Sequence, residues 1–129
     1  FTKIIHQFCK EQKDKPGMAP FVEKLAELNA EWGDITAKLG EKAMSNADEV
    51  GAASVDYLMY SGYVSLAYMW ARMASVALDG DADDAFLKAK VQTAQFYYQR
   101  LLPRTESHKL AMLNGADSVM AMPEEAFAF

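Results

Sequence analysis

Apolar positions recur at helical spacing along nearly the whole chain, and no stretch shows the strict alternation of a strand. Phe1, Ile4, Ile5 and Phe8 fall at i, i+3, i+4 and i+7, which predicts an amphipathic helix from the first residue. That helix fades in the charged run from Lys10 to Lys15 and stops at Pro16-Gly17. Pro20 then sits in the first turn of a second helix, where a missing backbone donor costs nothing. Phe21, Leu25, Leu28, Trp32, Ile35 and Leu39 alternate spacings of four and three, an a/d seam that must face another helix. Gly33 and Gly40 each weaken this helix by about 1 kcal/mol relative to alanine, so packing has to hold it. Gly33, beside Trp32, is expected to mark a close helix approach.

The run from Val55 to Leu78 has Asp56 and Arg72 as its only charges and is apolar on nearly every side if helical. A helix of that kind is wrapped by protein or spans a bilayer. Its tyrosines and serines and its acidic flanks (Asp48, Glu49, Asp79, Asp81, Asp83, Asp84) lack the Lys/Arg anchors of a spanning helix. The run therefore reads as a core rod that the other helices exist to cover, with Leu58, Leu66 and Trp70 out of open solvent. Asn46 with Glu49 reads as an N-cap and capping box that opens it. Gly62, Ala67, Ala71 and Ala74 admit close neighbours, and Gly80 is expected to end it in a left-handed cap.

Asp81 or Asp83 is expected to cap the next helix, which carries Phe86, Leu87, Val91, Ala94, Tyr98, Leu101 and Leu102 on one face. Pro103 should kink or break it. The helical pattern resumes through Leu110 and Leu113 and stops at Asn114-Gly115. The tail holds Val119, Met120, Met122, Phe127 and Phe129, apolar enough to dock. The fold expected is all-α: an up-and-down bundle of about four helices, the last kinked near Pro103. Residues 1–13 form a linking helix and residues 20–129 the bundle.

At 129 residues this is one domain's length. A net charge of −5, with 13 basic residues dispersed among 18 acids, argues against a nucleic-acid partner. The lone cysteine, Cys9, excludes an internal disulfide and suits a reducing cytoplasm. No export signal is visible. The start at Phe1, inside a helical pattern, hints at a piece of something longer or a processed product.

Candidate chemistry is sparse. His6 and Cys9 share a helix face, as two metal ligands could, but no second pair joins them. The di-iron bundle pattern needs Glu-x-x-His, and Lys3 and Thr105 stand where those glutamates would be. His108-Lys109, or His6 with Lys10, imitates a phosphotransfer site poorly. Glu124 and Glu125 are adjacent in a tail and do not face each other across a substrate. No Gly-rich loop joins a strand to a helix, so no phosphate cradle appears. Arg72 must pair with a carboxylate, reach carbonyls or extend to the helix edge, and a structural partner is favoured over an anionic ligand. The eight methionines and the rings Tyr57, Tyr60, Tyr63, Tyr68, Trp70, Phe96, Tyr97 and Tyr98 read as core and subunit contact rather than a ligand groove.

Several phrases in succession carry more information than any one residue. They are Asp56-Tyr57-Leu58, Trp70-Ala71-Arg72-Met73-Ala74, Lys88-Ala89-Lys90 and Phe96-Tyr97-Tyr98-Gln99-Arg100-Leu101-Leu102-Pro103, then Gly115-Ala116-Asp117-Ser118 and Met122-Pro123-Glu124-Glu125-Ala126-Phe127. In this order they resemble the extra C-terminal helical domain in one branch of the flavin-dependent acyl-CoA dehydrogenases. The resemblance implies a parent enzyme that binds FAD, removes an α-proton from an acyl-CoA with a glutamate base and passes the β-hydride to the flavin. It also implies electron-transfer flavoprotein as redox partner and a homo-oligomer. None of the family's catalytic or flavin-contacting motifs falls in this segment, so no catalytic, cofactor-binding or metal-binding residue is assigned, and FAD is expected on the parent alone. The segment's expected role is helical cladding on the dehydrogenase body. A free-standing helical binding or signalling module, or a membrane-associated helical anchor, would compete with that reading.

Overall fold

The computed structural model describes residues 1–128, which form an all-α bundle with no strand among them. Helix α1 spans Thr2–Gln12, α2 Ala19–Ser45 and α3 Asp48–Leu78. Helix α4 spans Ala85–Phe96, followed by a π-helical turn Tyr97–Leu101, a 3-10 turn Leu102–Arg104 and α5 at Thr105–Leu113. A single turn, α6 at Asp117–Met120, and a 3-10 turn at Glu124–Phe127 finish the chain. Among the described residues no helix is long and apolar enough to cross a membrane.

Helix α3 is the axis: α2 lies against one side of it, α4 and α5 against another, and α1 folds back over α2. The a/d seam of α2 behaves as its spacing requires. Phe21, Leu25, Leu28 and Ile35 are buried, with Trp32 and Leu39 packed at the margin of the core. From α1, Ile5 and Cys9 enter the same core, whereas Ile4 points outward and Phe1 lies half exposed with its ring edge-on to Trp32 and Tyr68. Ala67, Ala71 and Ala74 are fully buried, and there the large rings come close. The hydroxyls of Tyr97 and Tyr98 donate to the carbonyls of Tyr63 and Ala67, each at 2.9 Å. A helical carbonyl has a second lone pair free for such a bond.

The break at Pro103 is a π turn rather than a simple kink. The proline lacks an N–H, and its ring would strike the carbonyl four residues back in a continued α-helix. Widening the preceding turn, with the Leu102 N–H reaching the Tyr97 carbonyl, relieves both problems and turns Tyr97 and Tyr98 toward α3.

Several local expectations need correction. Gly33 is exposed with no atom near its absent side chain, so it marks no close approach. Gly80 has no left-handed backbone; among the described residues only Gly17 and Gly115 do, each at φ 82°. Gly80 instead makes room for Leu87, whose Cδ1 a side chain would strike. Asp84, not Asp81 or Asp83, caps α4, accepting from the N–H groups of Phe86 (2.7 Å) and Leu87 (3.2 Å). Asn46 accepts the N–H of Asp48 (3.0 Å) from just outside α3, but the N-cap position is Ala47, not Asn46, and Glu49 completes no box. It reaches forward to the N–H of Ala116 (3.1 Å) and toward Lys42, tying the start of α3 to the end of α5. The tail stays undocked, with Val119, Met120, Met122 and Phe127 exposed, and Phe129 lies outside the described residues.

The largest correction concerns α3. Leu58 is 70 % and Leu66 52 % exposed, and Trp70 is only partly buried. The rod carries two heptad seams on opposite sides. Ala53, Tyr57, Tyr60, Val64, Ala67, Ala71 and Ala74 face the bundle, while Val55, Met59, Gly62, Leu66, Met69, Met73 and Val76 face outward. A chain of this length lays its other helices against one side of the rod and leaves the second seam bare.

Candidate interaction surface

The ionisable side chains of the bundle pair across elements far apart in sequence. Glu31 on α2 takes the Lys109 ammonium at 2.8 Å, and Lys109 also meets Glu106 at 2.7 Å. Tyr60 donates to the other oxygen of Glu31 at 2.7 Å. Burial pushes the Glu31 carboxyl up, but the hydrogen bonds from Lys109 and Tyr60 and the lysine's charge outweigh it, holding the carboxyl below its ordinary range. Hydrogen bonds to Glu106 and Glu31 push Lys109 up. At the other end of the bundle Lys15 reaches Asp79 (2.7 Å) and the Ser75 carbonyl (2.7 Å), locking the connection between α1 and α2 to the end of α3.

Asp56 and His108 meet at 2.8 Å, with the Tyr63 ring stacked on the imidazole at 5.7 Å between centroids. Such a pair could orient a general base, but a base needs a reacting group within reach and a hollow to hold it. Neither residue lines the hollows between α2 and α3 or between α3 and α4. The pair is a strut between α3 and α5.

His6 is exposed on α1, while Cys9 is buried on the same helix, and burial pushes its thiol up and makes it a poor nucleophile and ligand. Among the described residues no group of three or more His, Cys, Asp or Glu could hold a metal ion. Glu124 and Glu125 stand exposed in the last 3-10 turn. Arg72 is exposed and extends over the Tyr68 ring, 5.7 Å from its centroid, so of the options open to it the helix-edge route is taken.

What remains is apolar surface. A hollow of ≈ 650 Å³ opens between the C-terminal half of α2 and the N-terminal half of α3, lined by Leu39, Ala43, Val50, Ala53, Tyr57 and Leu58 among others. A second, ≈ 420 Å³, lies between α3 and α4 beside Met69, Met73, Val76 and Phe86, with Arg72 and Lys90 at its rim. The outward seam of α3 runs between them. A flavin dinucleotide needs clustered N–H donors or cations for its pyrophosphate. The larger hollow has no lysine or arginine in its lining, so that hollow offers no such cluster. The sequence signalled this surface, since the outward seam has heptad spacing. It could not say which of two equally spaced seams would face in, nor bring Asp56 to His108 or Glu31 to Lys109 across so long a separation.

No curated protein matches the chain. A family model does: the one described as "Acetyl-CoA dehydrogenase C-terminal like" matches residues 1–123. The succession of phrases from Asp56 to Ser118 falls within that match, the all-helical architecture agrees with it, and the chain belongs to the acetyl-CoA dehydrogenase C-terminal-like domain family.

Proposed function

We propose that this chain is the C-terminal accessory domain of an FAD-dependent acyl-CoA dehydrogenase, and that it clads the catalytic body and supports subunit association. The observation that carries the reading is the bare outward seam of α3, a helix whose second apolar side its own chain leaves uncovered, in a member of this family. Contiguous exposed apolar surface of this kind marks a protein contact. On this reading α1 is the link from the body, and flavin, acyl-CoA and the glutamate base belong to the body. Electrons leave to electron-transfer flavoprotein, and the parent works in the cytoplasm. The domain contributes no reacting group and acts through assembly.

The test is the natural gene product. A polypeptide much larger than 14.3 kDa that shows flavin absorbance and oxidises an acyl-CoA is expected. Deleting this domain should lower its thermal stability or its subunit number while the flavin still binds. A natural product of about 14.3 kDa would overturn the reading.

A further inference from the structure

We infer that α1 is the last part of a longer helix in the parent polypeptide, and that the turns before Phe1 lie in the ≈ 650 Å³ hollow between α2 and α3. The inference rests on the accessory-domain reading, which places chain upstream of Phe1. Helix α1 already occupies one half of the groove between α2 and α3, and contacts at its two ends fix its direction. At its start the Phe1 ring stands edge-on to Trp32 (6.3 Å between centroids) and Tyr68 (5.6 Å), and the Asn29 amide donates to the Thr2 carbonyl at 3.1 Å. At its end the Ser75 hydroxyl donates to Gln12 at 2.7 Å. Traced backward from Phe1, the axis of α1 therefore runs toward the C-terminal half of α2 and the N-terminal half of α3. The hollow opens one turn beyond Trp32 in that direction. The Trp32 indole donates to the Tyr57 hydroxyl at 3.1 Å, Tyr57 meets Thr36 at 2.8 Å, and Thr36 and Tyr57 both line the hollow. From Trp32 to Ala43 helix α2 rises about 17 Å, the length of about three helical turns. No charged side chain lines the hollow, and Gly40, Ala43, Ala53 and Ser54 are small enough to let a helix backbone come close. That lining suits the apolar face of a helix and would leave a buried charge unpaired. The inward residues Phe8, Ile5 and Phe1 step backward by three and then four. The same alternation continued places apolar residues about three, seven and ten positions before Phe1.

The parent's sequence upstream of Phe1 and a thiol placed in the hollow test this together. Ser54 is exposed and lines the hollow, so Ser54→Cys should react freely with a maleimide in the 129-residue chain, where Cys9 is buried. In the chain lengthened by about three turns of the parent's sequence before Phe1, and in the parent itself, that labelling should slow at least about tenfold. Ala82→Cys, exposed at the opposite end of the bundle, should label equally in the short and lengthened chains. Equal labelling of Ser54→Cys in those two chains, or charged residues at the three upstream positions, would overturn the inference. Protection in the parent alone would assign the hollow to the dehydrogenase body and overturn it as well. Each of these results leaves the accessory-domain reading standing, whereas a natural product of about 14.3 kDa would overturn both.

Discussion

The Tyr60 hydroxyl donates to Glu31 Oε1 at 2.7 Å while Lys109 holds the other oxygen of the same carboxylate at 2.8 Å, so one buried phenol and one ion pair join α2, α3 and α5. Burial, and then the hydrogen bond to and charge of Glu31, push the Tyr60 phenol far up, which keeps it a donor at every ordinary pH. Hydrogen bonds to a charged group contribute about 1.5–3 kcal/mol. Tyr60→Phe should cost about that much in urea denaturation. An unchanged midpoint would show that the clamp adds nothing.

The same carboxylate sets an acid limb. Glu31 titrates below its ordinary value of 4.5 in the folded chain, so its contribution is full above that value and is lost as pH falls through the folded pKa. Lys109 titrates above its ordinary 10.5, so its contribution is full below that value and is lost as pH rises through the folded pKa. Thermal stability followed with pH should therefore hold a plateau between the two limbs, and Glu31→Gln should lower the plateau and flatten the acid limb. An acid limb of the same steepness in the variant would assign it to other carboxylates.

Gly115 holds a left-handed backbone at φ 82°, and an added side chain would sit 3.1 Å from Glu49 Oε1, the atom that accepts the Ala116 N–H. Gly115→Ala should destabilise by about 1–2 kcal/mol through backbone strain. Hydrogen exchange at the Ala116 amide should also quicken. A variant as stable as the parent sequence would contradict this.

Ala71 is fully buried where α3 meets its neighbours. Ala71→Leu should cost about 1–3 kcal/mol by overpacking, read from the denaturation midpoint. Stability at or above that of the parent sequence would mean the bundle has slack at that layer.

Where periodicity has one solution, it predicts the structure well. The a/d seam of α2 put Phe21, Leu25, Leu28 and Ile35 in the core as its spacing requires, and Pro103 broke its helix because a missing donor and a ring clash are local facts. The rod was different: with apolar residues on both sides of α3, pattern alone could not say that Leu58 and Leu66 would face out. The cap of α4 is not legible, because Asp81, Asp83 and Asp84 are chemically interchangeable until the backbone chooses one. The tail's apolar residues were expected to dock, but its single turn of α6 gives them no face to share. Of the surface site, the heptad spacing is legible; the hollow beside Met73 needs the packed bundle.

Methionine oxidation provides the most direct test that the outer seam of α3 is covered in the assembled protein. Met44 is 90 % exposed and away from the seam, Met59, Met69 and Met73 lie along it, and Met18 and Met112 are buried. Mild peroxide treatment followed by mass spectrometry, on the 129-residue chain at low concentration and on the whole parent enzyme, reads each site separately. The seam methionines should oxidise readily in the dilute chain and become protected in the parent, while Met44 oxidises in both. Equal oxidation of Met59, Met69 and Met73 in the two preparations would contradict the proposal that this seam is an interface.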